Sequence, residues 1–446
     1  SGKGGRQAGP AGRSETAAWP AMAICSALSR ALCCVALALL AVGFEPAAAD
    51  DEPLARISFG SCNNQDLDQG IWDAIRRGRP DVWFWLGDNI YADKKIRELP
   101  TKIFERASIS EMAEMYERQK AVPGYAALMR EVKHMVATWD DHDYGLDDAG
   151  KELPGKEASQ ELFLDFIGVP RGSSRRARKG VYHSETYGPP GKRVKLIILD
   201  LRYHRDPIGE DGDMLGREQW QWLEGELASS DAEFTLVGSS IQFIADHHPL
   251  LSPVSLMDQS PIAVESWSHF PQSRRRFLEL VERTRTAGVV LLSGDVHFGE
   301  IQKSPAGCLL PYDLYDFTSS GLTHSAEDLF PNWLLELVHS ITPKANSVGT
   351  FFGLNFGTLD FDWDGPGGAS MTFAVRNKQG REQIGHKVFA KDLQFGTAQK
   401  GPTGVCSVER EMSWPSRNRI FLVVIPSLLL AFGGGMFLAC KVALIS

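Results

Sequence analysis

The sequence predicts an α/β domain lying between two apolar ends. Three observations lead to it: short apolar runs that each end in a polar loop, helical patterns between them, and a late stretch that alternates apolar with polar residues around glycine turns. The runs are "RISFGSC", "DVWFWLGD", "HMVATWDD", "VKLIILDLR", "FTLVGSSIQ" and "VVLLSGD". Each is short and apolar enough for a buried strand. The helical pattern "GIWDAIRRG" follows the first run, "ISEMAEMYERQ" and "GYAALMREV" follow the second, and "EASQELFLDFIGV" follows the third. "GREQWQWLEGELASS" follows the fourth, and "SRRRFLELVERTRTAG" precedes the last. From about Asn346 to Leu393 the chain reads as β-hairpins that close the same domain. No internal repeat stands out.

The ends set the expected surroundings. "SRALCCVALALLAVGFEPAAAD" has an arginine, an apolar run and Ala47–Ala48–Ala49 before Asp50, so residues 1–49 read as a secretory signal region. Residues 50–399 form the domain, and 400–419 read as a polar juxtamembrane linker. Residues 420–440, "IFLVVIPSLLLAFGGGMFLAC", carry no charge and are long enough for a single C-terminal transmembrane helix. A cleaved lipid-anchor signal is the other reading of this stretch. The expected location is the secretory pathway, membrane-anchored, with the domain extracellular or lumenal. Net charge is -9 and spread out, so no basic stripe argues for nucleic acid. The runs at Arg175–Arg176 and Arg274–Arg276 read as solvated faces. Of seven cysteines, only Cys62, Cys308 and Cys406 fall in the exported body. Cys308 and Cys406 could pair, which leaves Cys62 over.

Chemistry concentrates where the strands end. The residues there are Cys62 with Asn63, Asp88 with Asn89 and Tyr91, Asp140 to Asp143 around His142, and Asp295 with His297. Ligands of α/β folds bind at such carboxyl ends. Any one of these residues alone reads as a turn cap; four such ends together read as a site. Carboxylates and Asn suit hard cations, His suits transition metals, and a deprotonated Cys or Tyr suits trivalent iron. Two cations roughly 3.5–4 Å apart can share a carboxylate and a hydroxide that attacks phosphorus in line. His142 is placed to protonate the leaving oxygen or bind the phosphoryl group, with a neighbouring carboxylate setting its tautomer. Arg202 and Arg205 could clamp a phosphate, although Asp200 could instead hold Arg202 in a structural pair. Asn63 and Asn89 each read equally as an oxygen ligand or a turn cap. Gln242, or one of His247 and His248, could supply a further ligand. Trp83, Trp85 and Trp267 read as packing.

These segments resemble the PhoD-like phosphatases (alkaline phosphatase D family), a branch of the calcineurin-like metallophosphoesterases. The resemblance spans roughly residues 54–395 and rests on "FGSCN", "WLGDNIYAD", "TWDDHDYG", "RKGVYHS", "LDLRYHRDP", "LGREQWQWLEGEL", "ESWSHFP" and "LLSGDVHFGE" in this order. It implies a metallophosphoesterase-type sandwich of two sheets flanked by helices, hydrolysing phosphate monoesters or diesters. It further implies Fe(III) with Ca(II), with other divalent metals possible. Cys62 and Tyr91 would then ligate iron, Asp88 would bridge the metals, and Asp141, Asp295 and His297 would complete the ligand set. His142, Asp88 and Asp143 would act in catalysis, and Asn89, Arg202 and Arg205 would contact substrate. Two other classes remain beside this one. One is a non-catalytic, membrane-anchored binding protein on the same fold. The other is a metal-independent hydrolase with Cys62 or Ser61 as nucleophile.

Overall fold

Apolar strands make the two sheets that place the site. A computed structural model describes residues 51–97, 103–208, 212–244, 265–328, 331–341 and 346–396. Contacts divide the chain into Ser1–Ala48 and Ala49–Ser446, and the description below concerns the second unit. The expected signal region, juxtamembrane linker and transmembrane helix lie outside the described residues, as do His247, His248 and Cys406. Among the described residues no helix is long and apolar enough to cross a membrane.

The first sheet is built on β1 (Arg56–Gly60), β2 (Val82–Leu86) and β5 (His134–Thr138), which run parallel. The second holds β7 (Val194–Ile198), β8 (Phe234–Gly238), β9 (Val289–Ser293) and β11 (Leu314–Ser319), also parallel to one another. β2, β7, β8 and β9 are buried at every position, which is why they read as unbroken apolar runs. The late hairpin region divides between the sheets. β13 (Asn355–Asp362), β14 (Ser370–Asn377) and β15 (Glu382–Phe389) extend the first sheet antiparallel from β1. β12 (Ser347–Phe351) pairs with β10 (Gly299–Ser304) at the edge of the second.

One core joins the sheets. Phe59, Phe84 and Val136 from the first pack with Leu196, Leu236, Leu291 and Phe317 from the second. Phe317 stacks on Phe373 of β14 with ring centroids 4.3 Å apart. Gly238 of the second sheet lies against Phe84 of the first, and an added Cβ there would sit 2.3 Å from Phe84 Cζ. Gly238→Ala is therefore expected to wedge the sheets and cost about 1–3 kcal/mol. Urea unfolding measures it, and an unchanged midpoint would mean that the sheets accommodate a methyl group there.

Helices cover the outer faces. On the first sheet, Trp83 and Trp85 pack against Trp72 of α1 (Ile71–Arg77), and Trp85 also meets Tyr125 and Phe166. α2 (Ile109–Ala121) opens on a capping box between Ser108 and Glu111, as its sequence spacing allows. α3 (Pro123–Glu131), α4 (Asp141–Tyr144) and α5 (Lys156–Phe166) complete this layer. α6 (Gly216–Ala228) and α7 (Pro271–Thr284) put Trp220, Leu223, Phe277 and Leu280 into the main core beside the second sheet. Every strand and helix that the sequence predicts as a run between Arg56 and Asp295 is present, whereas the expected helix over 420–440 lies outside the described residues. The fully buried Trp83, Trp85 and Trp267 are packing residues, as expected.

Several elements go beyond those expectations. A two-stranded ribbon, β3 (Asp93–Arg97) with β4 (Ile103–Arg106), leaves the body directly after Tyr91. β6 (His183–Tyr187) edges the second sheet, and α8 (Asn332–Ile341) precedes β12. β10 and β11 also carry no run that stands out. β11 hides because buried Asp316 interrupts it; that carboxylate accepts hydrogen bonds from Phe243 N, Ile244 N and Ser293 Oγ. A polar residue so satisfied is at home in a core strand, but no apolar periodicity reports it.

Candidate metal centre

Parallel strands of both sheets end on the same side, and their loops converge. β1 delivers Cys62, β2 delivers Asp88 and Tyr91, β5 delivers Asp140 to Asp143, and β9 delivers Asp295 and His297. The loops can meet because two glycines allow it. A Cβ on Gly87, whose φ is +101, would lie 2.6 Å from Asp140 Cβ, and one on Gly294 would lie 2.5 Å from Ser61 Oγ. Cys62, Asp88, Asp295 and His297 themselves have φ of 59, 50, 71 and 58. Left-handed backbone at non-glycine residues costs about 1–3 kcal/mol each and concentrates at functional sites. Hydrogen bonds hold the strained loops: Ser61 Oγ accepts from Asp295 N at 3.3 Å, and Ser320 Oγ accepts from His297 N at 2.8 Å.

Two donor sets share Asp88. On one side, Asp88 Oδ2 lies 3.5 Å from Cys62 Sγ and 3.3 Å from the Tyr91 hydroxyl. The same hydroxyl lies 3.4 Å from His297 Nε2. On the other side, single ligand atoms of Asp88, Asp140, Asp141 and Asp295 all lie within 4.8 Å of one another, as do those of Asp88, Asp141 and His142. Asp88 Oδ1 and Asp140 Oδ2 are buried and have no hydrogen-bond partner. An orphaned carboxylate oxygen is costly in a protein interior. Two of them in an acidic cluster fit a cation.

The electrostatics point the same way. Burial pushes Asp88 and Asp295 well above the ordinary carboxylate range, and the neighbouring charges of Asp140 and Asp141 push them further. Burial raises Cys62 and Tyr91 too, with the Asp88 charge adding to both. Asp141 moves the other way. Burial acts against it, but the charges of His142 and Arg202 and the N–H groups of Asp148 and His142 hold it below the usual range. A bound cation would reverse the mutual repulsion in this cluster.

His142 and its surroundings correct one expectation. The carboxylate on its Nδ1 is neither Asp141 nor Asp143 but Asp93, whose Oδ1 lies 2.7 Å away at the root of the ribbon. Tyr91 stacks on the imidazole with centroids 4.1 Å apart. Burial would lower the pKa of His142, but Asp141, Asp88 and Asp93 outweigh it and raise that pKa well above the usual value. Asp143 sits behind the site. Its carboxylate accepts from Asp140 N at 2.7 Å, from Asn89 N and from the Asn89 side chain, so it ties two strand-end loops together. Asn89 also donates to Thr138 O, and Asn63 donates to Asn89 O and to Gln119. Gln242 donates to Glu300 and Thr318, among side chains of the second sheet.

Arg202 and Arg205 are committed internally. Arg202 is 1% exposed and pairs with Asp140 and Glu265, rather than with the Asp200 side chain. Asp200 instead accepts from Arg202 N. Arg205 pairs with the same Glu265 and donates to Asp148 O. The expected phosphate clamp is thus a buried chain from Asp140 through Arg202 and Glu265 to Arg205. Arg202→Met would leave buried Asp140 without its cation and Glu265 with Arg205 alone, at a cost of about 3–5 kcal/mol. Urea unfolding checks this; a loss under about 1 kcal/mol would mean that water reaches the carboxylates.

Sequence reading left Asp140, Asp93, Glu265 and His324 without roles. Asp140 was visible at its strand end. Asp93 opens a ribbon and His324 follows a strand that the apolar pattern does not reveal, so periodicity marked neither. Cys62 is a free, buried thiol, whereas Cys308 is disulfide-bonded with its partner outside the described residues. That agrees with reserving Cys62 from pairing.

A sandwich of two mixed sheets, with carboxylate, thiol, phenol and imidazole donors gathered at the parallel strand ends, defines the class as a two-sheet α/β sandwich carrying a candidate metal site. The chain belongs to the PhoD-like phosphatase family, whose model matches residues 57–324. It is 26% identical over 294 residues to alkaline phosphatase D of Bacillus subtilis (strain 168), a match covering 56% of this chain and 47% of that protein. The chain thus spans about half the length of this curated relative. A solved PhoD structure shares the fold, with a TM-score of 0.53 at 18% identity over 80% of this chain and 74% of the other.

Proposed function

We propose that this chain is a metal-dependent phosphatase acting on phosphate monoesters or diesters. The observation that carries the reading is Asp88, which offers one oxygen to the Cys62–Tyr91 side and has an orphaned, buried second oxygen within an acidic cluster. A carboxylate so placed could be shared by two cations. The thiol and phenol suit Fe(III) and the carboxylate cluster suits Ca(II) or another hard divalent ion. When bound, such ions supply Lewis-acid charge to phosphoryl oxygens and lower the pKa of water.

The protein groups have distinct work. Cys62, Tyr91 and His297 would hold the first cation, and Asp140, Asp141 and Asp295 the second, with Asp88 offered to both. His142, aligned through Nδ1 by Asp93, presents Nε2 as a proton donor to the leaving oxygen or as a hydrogen-bond donor to the phosphoryl group. Asp143 and Asn89 position the loops that carry Asp88 and His142, and the Arg202–Glu265–Arg205 chain braces Asp140. From the apolar ends of the sequence we also infer a non-cytosolic location, with residues 420–440 as a membrane tether.

Hydrogen-bond partners speak against a metal-independent nucleophile. Among the described residues, those of Ser61 Oγ and Cys62 Sγ include Ser319, Ser320, Asp88 and Asp295 but no imidazole base. The test is hydrolysis of a chromogenic phosphate monoester and diester by the full chain, with and without a strong chelator. Turnover that falls with chelation and returns with metal is expected. Chelator-resistant turnover would refute the metal, and a metal-loaded protein inactive on both esters would favour a binding protein.

A further inference from the structure

Beside Tyr91 stands an imidazole that none of the roles above uses. His324 follows β11, and its Nε2 lies 2.9 Å from the Tyr91 hydroxyl, closer than the 3.4 Å of His297 Nε2. The two imidazoles pack edge to face with centroids 4.5 Å apart. Three donor atoms from three loops therefore meet at one point, next to Asp88 Oδ2 and Cys62.

The other ring nitrogen of His324 decides which way its lone pair faces. His324 Nδ1 lies 3.1 Å from Thr323 Oγ1. That hydroxyl already gives its proton to Cys62 O at 3.3 Å and accepts Asn64 N–H at 2.8 Å. A hydroxyl has one proton and two lone pairs, so only a lone pair is left for the imidazole. His324 must then carry its proton on Nδ1 and aim an unprotonated Nε2 at the Tyr91 oxygen. A histidine oriented through its far nitrogen in this way is characteristic of a ligand. The same threonine also grips the backbone of Cys62, so one hydroxyl sets both the thiol loop and the imidazole.

We infer that His324 is a further ligand of the cation held by Cys62, Tyr91 and Asp88. The inference rests on the metal reading of this site and deepens it, from a thiolate–phenolate–carboxylate centre with one imidazole to one with two. Its Nε2 needs no rearrangement to ligate, because the Thr323 bond has already set the tautomer.

The full chain would be purified with its metal, and X-ray absorption recorded at the edge of the ion that shows sulfur scattering. The wild type is expected to show sulfur with two imidazoles, and His324→Gln to show sulfur with one. Affinity for that ion should fall about 10- to 100-fold, read by competition with a chelator. Unchanged imidazole scattering in His324→Gln overturns the inference while leaving the metal reading intact. Should that variant fail to fold, the wild-type spectrum decides: sulfur with two imidazoles supports the inference, and sulfur with one or none refutes it. A folded wild-type chain that binds no metal overturns both readings at once.

Discussion

Asp88→Asn is expected to abolish turnover, by about 10³-fold or more, while the fold survives. The loss corresponds to roughly 4 kcal/mol of transition-state stabilisation, the scale of a cation's contribution at a phosphoryl centre. Asparagine is the informative substitution because it tolerates the left-handed backbone of this position, where φ is 50. Its carbonyl can still accept from Tyr91 and Cys62, and its amide falls where Asp88 Oδ1 is orphaned among Asp140, Asp141 and Asp295. One negative charge leaves a repulsive cluster and a donor enters it. In chelator-treated protein the variant should therefore melt no lower than the wild type, even as its activity disappears. Activity within about tenfold of wild type would refute the bridging role. A large drop in melting temperature would instead assign Asp88 to structure.

Cys62→Ser is expected to remove visible absorption and most of the iron. A thiolate and a phenolate on ferric iron give coloured charge-transfer transitions, and serine is a poor substitute for the soft donor. The exchange is nearly isosteric at a fully buried site, and Ser320 Oγ at 2.9 Å can satisfy the new hydroxyl. Stability should change little, so lost colour would report the metal and not the fold. Metal analysis and an absorption spectrum of the purified full chain suffice. Colour and iron that persist would make Cys62 a packing residue and remove iron from the site.

The two substitutions probe loops held in unfavourable backbone. Cys62, Asp88, Asp295 and His297 share the left-handed conformation, and each pays in stability for the direction in which its side chain points. The Ser61 and Ser320 hydroxyls, and the absence of a Cβ at Gly87 and Gly294, keep these turns in place. The thiol at the mouth of β1 faces Asp88 across a parallel strand pair. A disulfide would have required a second cysteine in the same crowded loops.

The sequence by itself determined the parallel core and the main candidate ligand positions. Runs such as "DVWFWLGD" and "VVLLSGD" declare strands buried on both faces, and a polar residue just past such a run can only lie at a strand end. Periodicity reports burial along one element, and Cys62, Asp88, Asp141 and Asp295 are each local to one element. Contacts between elements leave no such trace. Only the tertiary structure decided that His142 leans on Asp93, 49 positions away, or that Arg202 spends its charge on Asp140 and Glu265. Only it brought His324 against Tyr91. Asp93 opens a polar ribbon, Glu265 belongs to no strand or helix, and His324 comes after a strand interrupted by Asp316, so no apolar pattern runs through them. Their roles follow from the convergence of strand ends in space, which depends on how two sheets pack and not on the order of residues in either.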